Sequence, residues 1–288
     1  MNKVGILYGY WSQQWEVDYI PYIHKVKELG FDTLEINALS LMQMSDDEIK
    51  YFRDTAEEEN IEILSVLGVP VEYDLGSPHS AVRQKGIDYE KKYLYSCHKA
   101  GIKAIAGILC SSWHSKIEDL GITKAESWKN SVKAMREIAQ YADDLDMSIN
   151  LEVVNRFENY MLNCCAEALE YIADVNSSRL FVHLDTFHMN IEEDSFSKAI
   201  HLAGNKLGHF HVGENNRRPP GVGLLPWSEI FNALKEINYK KTIVMEPFIQ
   251  MNGPIASDIG VYREIMPGVD LDVEAKKSLD FVRRMLAK

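Results

Sequence analysis

Eight short apolar runs alternate with longer, more polar segments of helical period along this chain. The runs are Val4–Tyr8, Thr33–Asn37, Glu62–Leu67, Ala104–Cys110, Ser148–Val154, Leu180–Thr186, Leu207–Val212 and Thr242–Phe248. Helical patterns lie between them at Asp18–Leu29, Asp46–Glu59, Ala81–Ala100, Lys124–Leu145, Ala166–Val175, Ser195–Ala203 and Trp227–Ile237, and a last one, about Glu274–Leu286, closes the chain. Ser45 followed by Asp46, Asp47 and Glu48 reads as an N-cap with acids in the first helical turn, and Gly30 and Gly101 stand where helices should stop. No stretch rich in Pro, Gly or Ser divides the chain. This alternation predicts an α/β fold, a single closed (β/α)8 barrel spanning residues 1–288. An open doubly wound sheet would want a phosphate-binding glycine loop after its first strand, and Tyr8-Gly9-Tyr10-Trp11 is not one.

Charge and cysteine usage narrow the partners. A formal net charge of −12 lacks the electrostatic footprint for a phosphate backbone, so nucleic acid is not expected. A small neutral polar substrate is not repelled by it. Cys97, Cys110, Cys164 and Cys165 form no CxxC pair and read as small apolar residues in a reducing compartment. No run of about 18 apolar residues is present, so no membrane span is expected. The first residues carry no signal-peptide core, and a cytoplasmic location is expected.

Strands of such a barrel are buried on both faces, so an ionisable residue inside one needs a reason. Glu152 in strand five, Asp185 in strand six, His211 in strand seven and Glu246 in strand eight all lie near C-terminal strand ends, the catalytic face of a barrel. Three carboxylates and an imidazole converging on one point repel without a cation. A divalent metal resolves this, and oxygen-rich ligands with one nitrogen favour Mn2+, Mg2+ or Co2+. With three ionised carboxylates the loaded site still carries a negative charge, so one glutamate is expected to be protonated. That is the state an acid/base pair needs. His183 and His209, two residues earlier in their strands, read as buried hydrogen-bonded groups beneath the site.

The following loops add Glu158, His188 and Arg217, each able to reach over the metal towards a ligand, whereas Arg218 reads as surface. Tyr8, Tyr10, Trp11, Trp15 and Trp113 fall in the loops after strands one and four, as an aromatic wall for a sugar or as packing at the barrel top.

The stretch Leu151-Glu152-Val153-Val154-Asn155-Arg156-Phe157-Glu158-Asn159 resembles the ketose 3-epimerase family, the D-tagatose and D-psicose (D-allulose) 3-epimerases. So do Leu184-Asp185-Thr186-Phe187-His188-Met189-Asn190-Ile191-Glu192-Glu193-Asp194, Gly208-His209-Phe210-His211, Met245-Glu246-Pro247-Phe248 and Ser257-Asp258-Ile259. The resemblance implies a TIM barrel of the sugar isomerase/epimerase type with one divalent ion per subunit, Mn2+ first, then Co2+ or Mg2+. It implies that Glu152, Asp185, His211 and Glu246 are the ligands and that Glu152 and Glu246 are the acid/base pair. Glu158, His188 and Arg217 are then the residues around O1, O2 and O3 of the substrate. Trp15, Val66, Ile108, Trp113 and Phe248 form the groove around its far end. Leu7 stands in that groove where relatives usually have an aromatic, and Ser112 precedes Trp113 where a tyrosine is common.

The activity implied is epimerisation of free ketoses at C3, for example D-fructose with D-psicose or D-tagatose with D-sorbose, by a homodimer or homotetramer. An aldose–ketose isomerase or inosose dehydratase on the same barrel, and a non-catalytic sugar-binding protein, are the alternatives. A barrel endonuclease would want more metal-binding histidines and a basic groove.

Overall fold

A computed structural model describes residues 2–288. Its strands are β1 (Val4–Leu7), β2 (Thr33–Ile36), β3 (Glu62–Gly68), β4 (Ala104–Ile108), β5 (Ser148–Val153), β6 (Leu180–Asp185), β7 (Leu207–Val212) and β8 (Ile243–Met245). They pair in sequence order, all parallel, and β1 also pairs with β8, closing the barrel. The helices are α1 (Ile20–Leu29), α2 (Asp46–Glu58), α3 (Ser80–Lys99), α4 (Ile117–Leu120), α5 (Lys124–Asp144) and α6 (Cys165–Val175). They continue with α7 (Thr186–Glu192), α8 (Phe196–Ala203), α9 (Trp227–Glu236), α10 (Gly253–Ile259) and α11 (Leu271–Ala287). The closed (β/α)8 barrel expected from the alternation is therefore present, and the open sheet is not.

Local chemistry sets the element ends. Ser45 and Thr123 each form a capping box, with Glu48 and Glu126 respectively reaching back to the cap backbone, at the starts of α2 and α5. Gly30 ends α1 at φ +87°, a conformation that favours glycine. Alternate strand residues such as Leu151, Leu184 and Phe210 are buried, and so are their neighbours Glu152, His183, Asp185, His209 and His211. Both faces of these strands are thus covered, and the polar set is the inner one.

Three short helices lie where loops were expected. The expected strand six ran to Thr186, but α7 begins there, because the Asp185 side chain accepts a hydrogen bond from the Phe187 backbone N–H at 2.9 Å and caps the helix. The expected strand eight ran from Thr242 to Phe248, whereas β8 stops at Met245, just before Glu246 and Pro247. α4 and α10 occupy loops after β4 and β8.

Strand register explains how residues at different depths meet. Asp185 pairs with His211, Glu152 pairs with His183, and Val244, two residues before Glu246, pairs with His211. The stagger of tilted barrel strands carries all four expected ligands to one point. Elsewhere β3 and β4 approach so closely that only glycine fits at position 107, where φ is +119° and a Cβ would run into the Leu67 backbone. Gly107→Ala is expected to cost about 3 kcal/mol through strain and overpacking. Urea denaturation should show a lower midpoint at unchanged slope.

Candidate active site

Glu152, Asp185, His211 and Glu246 each offer one ligand atom, and these atoms all lie within 4.8 Å of one another. All four residues are buried. The His211 Nδ1 atom lies 3.3 Å from Glu246 Oε1 and has no hydrogen-bond partner among the described residues. This nitrogen therefore faces the carboxylates, as a ligand nitrogen must. Burial, then the carboxylate of Glu246, push the Glu152 carboxyl well above its usual range, with a smaller contribution from Asp185. Burial works against charge on His211, yet Glu35 and Glu246 overcome it and raise the imidazole well above its usual range. The pocket thus draws positive charge to one spot. Its three oxygens and one nitrogen suit a divalent cation, and the cluster could hold a metal ion.

Arg217 leans over this cluster. Its Nη1 donates to Asp185 Oδ2 at 2.9 Å and to Glu246 Oε2 at 3.0 Å, and its guanidinium lies 3.8 Å from the Phe187 ring centre. The residue sits at φ +62°, unusual for arginine, and the loop around it is braced. The buried Glu214 carboxylate accepts from the backbone N–H groups of Gly221 and Val222 and from the Trp227 indole. Thr186 Oγ1 clamps both backbone groups of Gly213. Arg218, expected on the surface, is instead half-buried, though away from the cavity.

Glu158 and His188 stand beside Arg217. Glu158 accepts from Asn155 Nδ2 at 3.0 Å and from Trp113 Nε1 at 3.1 Å, and its Oε1 is 3.6 Å from Arg217 Nη2. Burial alone would raise its carboxyl, but His188, Arg217 and these donors bring it below the usual carboxylate range. His188 Nδ1 accepts the Asn155 backbone N–H at 3.2 Å, so its hydrogen is on Nε2, near Glu152 and Asp185.

These groups floor a cavity of about 320 Å3, small enough for a monosaccharide-sized ligand. Leu7, Trp15, Val66, Ile108, Trp113 and Phe248 line it, as expected of the groove. Trp15 packs edge-on against Trp113 and Phe248, with centroids 5.8 and 6.2 Å apart. Tyr8 and Tyr10 are fully buried packing residues, so the aromatic set divides between wall and core. Ser112 lies outside the lining, its backbone N–H bound to Asp74 and its carbonyl to Asn159. The substitution there does not touch the cavity, whereas Leu7 does.

Sequence reading missed Glu35. It sits in β2 and is completely buried, with Oε1 2.8 Å from His209 Nε2 and Oε2 2.7 Å from His211 Nε2. Burial pushes its carboxyl up, and His211 and His209 more than offset this, holding it at about 2. The signal used for strands five to eight, an acid inside a buried strand, was present in Thr33-Leu34-Glu35-Ile36 as well. His183 and His209 stack edge to face on His211 beneath the cluster, with centroids 4.2 to 4.7 Å apart. His209 is bound to Glu35 and His211 as expected of a hydrogen-bonded group, whereas neither ring nitrogen of His183 has a hydrogen-bond partner among the described residues.

Residues 23–284 match the family model described as the xylose isomerase-like TIM barrel. A D-psicose 3-epimerase of Agrobacterium fabrum is 42% identical over 287 residues, covering 99% of both chains. The chain belongs to this barrel family, among its ketose 3-epimerases. It is accordingly a carbohydrate epimerase, in the isomerase class. An L-ribulose 3-epimerase of Methylomonas sp. is 32% identical over 88% of this chain and 87% of its own. A crystal structure of D-psicose 3-epimerase with D-tagatose from Clostridium cellulolyticum H10 superposes with a TM-score of 0.96, at 42% identity and 99% coverage of each chain.

Burial and the Arg217 charge, partly opposed by Glu158, lower the His188 imidazole from 6.5 to about 4. Between these values the unfolded chain binds a proton that the folded chain does not. The stability tied to neutral His188 is therefore complete above pH 6.5 and lost as pH falls towards 4, by up to about 1.4 kcal/mol per unit. Denaturation of chelator-treated protein across this window checks the slope. Glu158→Gln, which removes an attracting anion, should move the ring titration still lower by NMR.

Proposed function

We propose that this chain interconverts free ketoses by inverting C3, with D-fructose and D-psicose, or D-tagatose and D-sorbose, as pairs to test. The observation that carries this reading is the buried junction of Glu152, Asp185, His211 and Glu246 at the floor of a sugar-sized cavity. Those four residues would hold one divalent ion, Mn2+ in the first instance, which when bound supplies Lewis-acid polarisation of the ketose carbonyl.

The rest is done by side chains. The C3 hydrogen is acidified by the adjacent C2 carbonyl, and its removal leaves an enediolate. Glu246, from the end of β8, takes that proton from one face. Glu152, from β5, returns a proton to the other face, and the roles reverse for the opposite direction. Without the ion, burial and the neighbouring acids favour the protonated form of Glu152, the form a donor needs. Arg217 and His188 present N–H donors to the ketose oxygens, and Glu158 orients both. Trp15, Trp113, Phe248, Leu7, Val66 and Ile108 exclude water from the apolar faces of the sugar.

We read residues 1–288 as one barrel unit working in the cytoplasm. All four cysteines are free thiols, in keeping with a reducing compartment, and no helix among the described residues is long and apolar enough to cross a membrane. A homodimer or homotetramer is supported by the exposed Phe157, Leu224 and Tyr262, all carried on loops at the C-terminal end of the barrel.

Incubating D-fructose with Mn2+-loaded protein in D2O should yield D-psicose with one deuterium at C3. Label at C1 would mark an aldose–ketose isomerase, and binding with no exchange a sugar-binding protein. Glu152→Gln and Glu246→Gln should each lower kcat by at least about 10^3-fold, and retained turnover in either would break the two-base assignment. Chelation should abolish turnover, and Mn2+ should restore it.

A further inference from the structure

We infer that Glu35 is a positioning residue that orients His211 for the ion and sets the affinity of the site. The inference rests on the metal-dependent reading above and deepens it. Glu35 comes from β2 and reaches across the barrel interior to β7, which is not its neighbour. Its carboxylate is fully buried, and His209 and His211 are its only ion-pair partners among the described residues. An anion so placed is costly in a fold stabilised by apolar burial alone.

Its geometry gives a purpose. His211 has two ring nitrogens facing opposite ways. Nε2 lies 2.7 Å from Glu35 Oε2 and Nδ1 lies 3.3 Å from Glu246 Oε1. A nitrogen lone pair at 2.7 Å from a carboxylate is strongly repelled, so the hydrogen sits on Nε2. Nδ1 is then the nitrogen turned to Glu152, Asp185 and Glu246, where it has no hydrogen-bond partner among the described residues, and it is the one whose lone pair a bound ion would take. Glu35 thus selects the tautomer that can ligate and increases electron density on the ligating nitrogen. Carboxylate–histidine–metal arrangements of this kind change affinity by roughly 10- to 100-fold when the outer carboxylate is removed. His209 Nε2 lies 2.8 Å from Glu35 Oε1 and 2.9 Å from His211 Nε2, so it pairs with the other carboxylate oxygen.

Glu35→Gln keeps the shape and removes the charge. Titration of chelator-stripped protein with Mn2+, followed by the EPR signal of the free ion, should show its Kd rising about 10- to 100-fold. In protein loaded with diamagnetic Mg2+ and labelled with 15N-histidine, His211 should lose its single Nε2–H form. A purely structural role would lower the melting temperature and leave both readouts where they were. Glu35→Asp, which keeps the charge one methylene further back, should weaken Mn2+ binding less than Glu35→Gln, and it serves as the test variant should the amide fail to fold. A folded Glu35→Gln that binds Mn2+ like the parent, with the same His211 tautomer, overturns the inference alone. A parent chain that binds no Mn2+ overturns both it and the metal-dependent reading.

Discussion

Glu152, Asp185 and Glu246 are gathered into one buried volume, and a fourth carboxylate, Glu35, lies on the far side of His211 from them. Carboxylates at this density do not stay ionised in a low-dielectric interior unless positive charge is held among them. Arg217 supplies some of it through Nη1, and a divalent ion would supply more. The placing of every other polar group near the barrel mouth follows from this need. His211 offers one nitrogen to each side of the cluster. The Arg217 backbone is held in a left-handed conformation by a loop braced at Glu214 and Thr186.

The barrel is what makes such a gathering affordable. Its apolar residues are buried on both faces of the strands and in the shell of helices, so the cost of the polar interior is spread over a large core. Parallel strands end at the same mouth, and their stagger converts neighbouring register positions into a shared point. Asp185 illustrates the economy of this layout. One of its oxygens caps α7 and the other meets Arg217, so the strand end, the helix start and the charged cluster are a single local structure.

Much of this was legible in the residues. Eight alternations specify the barrel because each apolar run is too short for a helix and is followed by a segment of helical period. An acid or imidazole at the end of four successive strands is hard to explain by packing, and all four meet. Glu35 escaped notice because it lies in the second strand, outside that succession, and its partners come from the opposite side of the barrel. Only three-dimensional closure reveals such a pairing. Helices α7 and α10 were hidden for a local reason, being a single capped turn or two with no room for a hydrophobic period. Tyr8 and Trp15, both aromatic and seven residues apart, are indistinguishable by composition. Yet one is sealed in the core, its hydroxyl donating to the backbone carbonyl of the other, while the Trp15 indole faces the cavity.

The two halves of the barrel carry different tasks. The charged cluster comes from β5 to β8 and the loops that follow them. Most of the apolar wall, Leu7, Trp15, Val66, Ile108 and Trp113, comes from β1, β3, β4 and their loops. Besides the strand pairings that close the barrel, the halves meet where Trp113 donates to Glu158, where Trp15 packs on Phe248 and where Glu35 reaches His209 and His211. A change at Trp113 therefore reaches the polar floor through Glu158, and a change at Glu35 reaches it through His211. Gly68 sharpens this point. A Cβ there would press on the Trp113 indole, so the backbone of β3 and the wall have to vary together. Leu7 lines the same cavity from β1, where it pairs in register with Glu35. Its side chain is buried at the cavity edge, so the shape of the wall there is set by β1 and not by the loops that carry Trp113 and Glu158.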